Sequence, residues 1–178
     1  VEFTLATIED VPELCSLLCE LFAQEEEFEP NPEAHKLGLE TIISNSEIGT
    51  ILVARQEPCE LPSEPHASAL RLDKQPLNNR RPRKIVAMVS LLYTYSTALG
   101  ARVALLEDMI VASWARRQGI GSELIQFALK VAKTRGVRRV TLMTDANNTP
   151  AQRFYLQQGF TVSSMVTLRR VISFTTTL

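Results

Sequence analysis

The stretch from Val103 to Ala132 constrains this chain more than any other. Val103–Val111 is an apolar run that reads as a strand. Leu124, Ile125, Ala128, Leu129 and Ala132 recur at the spacing of one helical face. Between them lies the turn Ala115-Arg116-Arg117-Gln118-Gly119-Ile120-Gly121-Ser122. A strand that passes through such a turn into a helix delivers the first helical amides to one point. Those amides have no partner inside the helix, and the aligned peptide dipoles place roughly half a positive charge there. Gly119 and Gly121 carry no Cβ, so the backbone can approach a ligand closely. The expectation is a pyrophosphate cradle made by the amides of Gln118, Gly119, Ile120, Gly121 and Ser122.

Two kinds of cradle share a strand–glycine–helix pattern. The dinucleotide fingerprint asks for a small residue three positions after the second glycine, for close strand–helix packing. Leu124 stands there, although Asp145 follows at a tempting distance. The preceding strand, Ile85–Leu92 continuing to Tyr95, is joined to Arg102–Val111 only by the short loop Ser96–Gly100. So short a link implies an antiparallel hairpin and counts against a βαβ unit, which needs a crossover helix at that point.

The remaining elements follow in order. Phe3–Ala6 reads as a strand. Asp10 is placed as a helix N-cap, with Glu13 three residues on, ahead of a stripe of Val11, Leu14, Cys15, Leu18, Leu21 and Phe22. Pro32–Ser44 reads as a second helix with a weaker stripe of Ala34, Leu37, Leu39 and Ile42. Gly49 punctuates before the strand Thr50–Ala54. Residues 56–83 hold five of the nine prolines and no apolar period, so they form one long connection. After the central helix, Gly136 caps and Val137–Met143 is a strand. Thr149, Pro150 and Gln152 open a last helix that Gly159 stops. Phe160–Met165 and Val166–Ile172 read as two closing strands. The order is β-α-α-β-β-β-α-β-α-β-β, an α/β mixed sheet with helices on its faces, in a single domain over residues 1–178.

Composition adds exclusions. A net charge of −1 provides no field to recruit nucleic acid. No apolar run is long enough to span a bilayer, and Val1-Glu2-Phe3 opens no signal peptide. Three cysteines argue against a disulfide framework. Cys15 and Cys19 share a helix but lack a nearby His or third Cys, so no metal site is expected. A cytoplasmic setting follows.

Arg116-x-x-Gly119-x-Gly121 resembles the R/Q-x-x-G-x-G/A signature of the GNAT superfamily of N-acetyltransferases. Asn148-x-x-Ala151-x-x-Phe154-Tyr155, followed by Gly159-Phe160, resembles a second segment of that superfamily. Leu106–Val111 resembles the E-D-x-x-V strand immediately upstream of its cofactor turn. The likeness runs from Phe3 to about Ile172, and the long 56–83 connection is its departure, where relatives have a tight turn.

The resemblance implies a GNAT-like fold with splayed central strands and an acetyl-CoA cosubstrate. Pantetheine would pair with the backbone of Met109, Ile110 and Val111 like an added strand. Arg116 and Arg117 would add charge beside the pyrophosphate, Asn148 would hydrogen-bond the pantetheine arm, and Ala151 would belong to the cofactor site. Tyr155 would be the general acid for the departing thiolate, Glu107 the base or ammonium partner, and the Ile110 amide the oxyanion donor. Strict alternation puts Asp108 on the opposite face from Glu107, unless a bulge intervenes. An acidic rim including Glu27, with Phe28, Tyr93 and Tyr95, would border a cationic amine, either a small molecule or a peptide. Relatives are often dimers. The expected activity is N-acetyl transfer by direct attack in a ternary complex. The alternative is a non-catalytic acyl-CoA binding module on the same fold.

Overall fold

The computed structural model describes residues 1–24, 29–57 and 83–172. The chain divides into two units, residues 1–143 and 144–178, each described by itself. The first unit is a five-stranded sheet in the order β1-β2-β3-β4-β5. Its strands are β1 (Glu2–Leu5), β2 (Gly49–Gln56), β3 (Lys84–Ser96), β4 (Ala101–Val111) and β5 (Val140–Leu142). The first four pair antiparallel, and β5 joins β4 in parallel. The expected hairpin between β3 and β4 is present, closed by the turn before Ala101.

Three helices cover this sheet: α1 (Val11–Phe22), α2 (Pro32–Ser44) and α3 (Ile120–Thr134). α1 and α2 pack on each other, α1 against β3 and β4, and α2 against β2. α3 packs against β2, β3 and β4 without comparable contact to the α1–α2 pair, which places it on the other face. β2 and β3 are therefore covered on both sides, and they read as continuous apolar runs rather than alternating ones. Leu52, Val53, Ala54, Val86, Ala87, Met88 and Val89 are all fully buried. Leu124, Ile125, Ala128 and Ala132 supply the α3 face of the core, as their spacing predicts. α2 contributes less. Only Leu39 of its expected stripe is buried, and Leu37 stands in solvent. Gly49 proves to be part of β2 rather than a break before it. A Cβ there would lie 2.9 Å from Ile42 Cγ2 and from the Leu91 carbonyl oxygen, so α2 and β3 close on it only because it is glycine.

Two expectations fail for the same reason, a partner the local sequence does not show. Asp10 does not cap α1 forward. Its carboxylate turns back to accept the Thr7 N–H at 2.7 Å and the Arg55 Nη2–H at 2.6 Å from β2. Glu13 does not close a box either, and accepts the Ile85 N–H of β3 at 2.9 Å. The second unit holds α4 (Thr149–Gln157), but residues 160–172 form no strand. Val162, Met165, Val166 and Leu168 are exposed. Strand propensity alone does not make a strand, because an unpaired strand has no independent stability. Among the described residues no helix is long and apolar enough to cross a membrane.

The Asp10–Arg55 pair joins the start of α1 to the sheet, with Arg55 Nε also donating to Thr4 Oγ1 at 3.1 Å. Burial alone would push the Asp10 carboxyl up. The Arg55 guanidinium and the Thr7 N–H outweigh it and hold the carboxyl below its ordinary 3.8. A carboxylate whose folded pKa is lowered stabilises the fold above its unfolded pKa and ceases to as pH falls through the folded one. Arg55→Ala is expected to cost about 3 kcal/mol in urea unfolding at pH 7, because it strands a largely buried carboxylate. Asp10→Asn is expected to lower stability at pH 7 and to flatten its decline on acidification below pH 3.8.

Candidate active site

β4 and β5 share three paired positions, Ala104 with Val140, Leu105 with Thr141 and Leu106 with Leu142. β5 then ends, while β4 runs on to Val111, held on its other side by β3. A seam therefore opens along β4 from Glu107 onward, where its β5 side has no strand partner among the described residues.

Which backbone groups face that seam is set by a bulge. Leu91 of β3 pairs with Leu106, but Val89 pairs with Met109. Glu107 and Asp108 together therefore oppose the single residue Ser90. Before the bulge, Ala104 N–H donates to the Arg139 carbonyl at 2.9 Å, so the even-numbered backbones look toward β5. Beyond it, Ala112 N–H donates to the Val86 carbonyl at 2.8 Å, toward β3. Successive residues of an antiparallel strand alternate in direction. Ile110, paired with Met88, thus turns its backbone to β3, while Met109 and Val111 turn theirs to the seam. This corrects the expectation for Ile110: its amide belongs to the sheet, and the amide presented outward is that of Met109. The resemblance alone points to Ile110, and the bulge, by adding one residue, turns the Met109 backbone to the seam instead.

The two carboxylates at the bulge differ in environment. Glu107 is exposed, whereas the Asp108 side chain lies inside, 3.3 Å from Ser90 Oγ. Burial pushes the Asp108 carboxyl up, and the Ser90 hydroxyl offsets part of this.

At the end of β4 the chain makes a short 3-10 turn, Ser113–Ala115, and enters α3 through Arg117 and Gly119, both at positive φ (62° and 81°). Gly119 is the N-cap, and no side chain caps the helix there. With only Gly119 in the cap position, the first amides of α3 point outward as the sequence predicts. The two arginines differ in role. Arg116 Nε donates to the Val111 carbonyl at 2.9 Å, and its Nη2 reaches Gln24 Oε1 at 3.3 Å and Glu20 Oε1 at 3.5 Å. Glu20 also accepts the Ser113 N–H at 2.9 Å. Arg116 therefore fastens the turn to α1 rather than offering its charge outward. Arg117 is exposed and has no ion-pair partner among the described residues, which leaves its charge beside the helix start.

Tyr93 is not at the seam. It pairs with Ala104, its hydroxyl donates to Thr50 Oγ1 at 2.9 Å, and the Arg102 and Arg135 guanidiniums lie over its ring at 5.3 and 5.7 Å. Arg135 follows the C-terminal end of α3, so Tyr93 lies at the opposite end of that helix from the glycine turn. Tyr95 is exposed beside Arg102. Glu27 and Phe28 lie outside the described residues.

In the second unit Asn148 Oδ1 accepts the Ala151 N–H at 3.1 Å, making Asn148, not Thr149, the cap of α4. Tyr155 packs edge-on between Phe154 and Phe160, with centroids 5.2 and 5.7 Å away. Burial pushes its hydroxyl up to about 12.

Sequence reasoning missed Ser90 and Glu20. Ser90 carried a signal, as the one hydroxyl between Ile85 and Leu92. Glu20 carried none, because its partners lie more than ninety residues away.

Residues 54–160, more than half of the chain, match the family model described as the acetyltransferase (GNAT) family. Over 61 residues the chain is 36% identical to GCN5-related N-acetyltransferase 6, chloroplastic, from Arabidopsis thaliana, covering 34% of this chain and 21% of that one. Over 77 residues it is 30% identical to the uncharacterized N-acetyltransferase YhfO of Bacillus subtilis, covering 43% and 52%. The chain thus spans about half the length of these relatives or less. A crystal structure of a probable acetyltransferase superimposes with a TM-score of 0.71 over 98% of this chain and all of that one, at 22% identity, a likeness of fold.

A Cβ at Gly119 would meet nothing within 4 Å, so only its left-handed backbone requires glycine. Gly119→Ala is expected to cost about 1–2 kcal/mol in urea unfolding. Gly119→Asn, which tolerates that conformation, should recover most of the loss.

Proposed function

This chain belongs to the GNAT acetyltransferase family, and from that premise we propose that it moves the acetyl group of acetyl-CoA to a primary amine, of a small molecule or a peptide, by direct attack in a ternary complex. The observation that carries this is the junction of seam and turn. Past Leu106 the β4 backbone has a side without a strand partner among the described residues, and the same chain leads straight into the α3 amides. An extended amide chain ending in a diphosphate matches that shape: its amides pair with Met109 and Val111 as a strand would, and its phosphates meet the helix start. Gln118, Ile120, Gly121 and Ser122 line that start, with Arg117 adding charge, while Arg116 holds the turn in place.

The residues then divide the chemistry. The Met109 N–H stabilises the thioester oxygen as the amine nitrogen forms its bond to the carbonyl carbon. Glu107, exposed on the bulge, takes the amine proton through water or holds the incoming ammonium. Asp108 is too deep to do either. The carbon–sulfur bond breaks, and Tyr155 gives its hydroxyl proton to the thiolate. With its hydroxyl pushed up to about 12, Tyr155 is protonated at every working pH. Asn148 and Ala151 begin the helix that carries Tyr155, and the family resemblance gives them the pantetheine arm to contact.

Thiol release from acetyl-CoA, measured against lysine, spermidine and a lysine-containing peptide, tests the proposal. Release above the amine-free rate with at least one of these is expected. Acetyl-CoA that binds and raises the melting temperature, yet yields no thiol with any amine, would identify a binding module instead. Tyr155→Phe is expected to lower kcat by about a hundredfold while leaving the Kd for acetyl-CoA within a few-fold. In the wild type, kcat should show no alkaline loss from this group up to pH 10, because its pKa lies near 12.

A further inference from the structure

We propose that Ser90 is a positioning residue for the reaction, its buried hydroxyl standing in for a backbone partner so that β4 keeps its bulge and turns the Met109 amide outward. This rests on the function proposed above.

A bulge leaves one residue's backbone without a partner across the ladder. Here two residues of β4 face Ser90, and Ser90 can offer them only one carbonyl. The second acceptor is its side chain. Ser90 Oγ accepts the Asp108 N–H at 3.0 Å and lies 3.3 Å from Asp108 Oδ2, to which it donates. A hydroxyl can do both at once, having one donor and two lone pairs. Ser90 itself is fully buried, so its hydroxyl is not replaceable by water at that position. An apolar residue would leave the Asp108 N–H unsatisfied inside the sheet.

The consequence reaches the site through register. Without the extra residue, alternation would continue from Ala104 and Leu106, and Asp108 and Ile110 would face the seam. Met109 would then face β3. Ser90 touches no reacting atom, and it selects which amide does.

The decisive comparison is Ser90→Thr against Ser90→Val, which have the same shape and differ only in the hydroxyl. Amide hydrogen exchange is read first, on the ligand-free protein. The Asp108 N–H should be protected in the wild type and Ser90→Thr, and should exchange at least about tenfold faster in Ser90→Val. Equal protection in the two variants would overturn the clasp. Next, acetyl-CoA labelled with carbon-13 at the carbonyl is bound to each protein. A downfield shift on binding, reporting a hydrogen bond to the thioester oxygen, is expected in the wild type and Ser90→Thr and should be smaller in Ser90→Val. Acetyl-CoA affinity should fall in Ser90→Val as well, because Met109 also pairs with the pantetheine arm, while the helix amides still hold the diphosphate. An equal shift in both variants would leave Ser90 structural and defeat the positioning role. Acetyl-CoA that fails to bind the wild type defeats the proposed function instead, while the exchange result still decides the clasp.

Discussion

An antiparallel ladder fixes which edge every amide faces, and only a gained or lost residue can change it. β4 gains one, opposite Ser90. Everything that makes the seam useful depends on that irregularity. On one side of it β4 lends its backbone to β5; on the other β3 is its one strand partner among the described residues. The parallel partner stops within three residues, so the strand is paired on one side along its last turn-ward stretch. A regular β4 with a longer β5 would be a closed sheet with its amides satisfied and nothing to offer an extended ligand.

The turn that follows is anchored from outside. A loop between a strand and a helix has few contacts of its own, and two left-handed residues separated by one position, Arg117 and Gly119, would not hold their shape unaided. The Glu20 carboxylate takes the Ser113 N–H and meets Arg116, which in turn holds the Val111 carbonyl. Each is a surface contact worth little by itself. Together they tie the end of β4, the turn and α1 into one piece, and the α3 amides inherit that fixed position. At the other end of α1 the same logic recurs in a drier setting, where Asp10 and Arg55 join helix to sheet through a largely buried pair. The first helix thus braces the sheet at its start and the glycine turn at its end.

Much of this was legible along the chain because it follows from near neighbours. The apolar runs of β2 and β3, the α3 stripe and the Gly119 turn are local patterns with local causes. The failures share a different cause. Asp10 and Glu13 look like caps, but the sheet claims both carboxylates. Tyr93 looks like a pocket wall, but the Arg102 and Arg135 guanidiniums lie over its ring. In each case a charged or aromatic group had several suitable partners, and distance along the chain could not rank them. Residues 160–172 show the converse: strand propensity there does not by itself give a strand.

The sequence alone determined the order of elements, the hairpin that excludes a crossover, the helix that begins at a glycine, and the family signature around it. These depend on periodicity, on the missing Cβ of glycine and on helix geometry, all of which act over a few residues. Tertiary structure decided which amide faces the seam. That choice depends on how many residues of β4 stand opposite one residue of β3, and a count across two strands is not written in either strand.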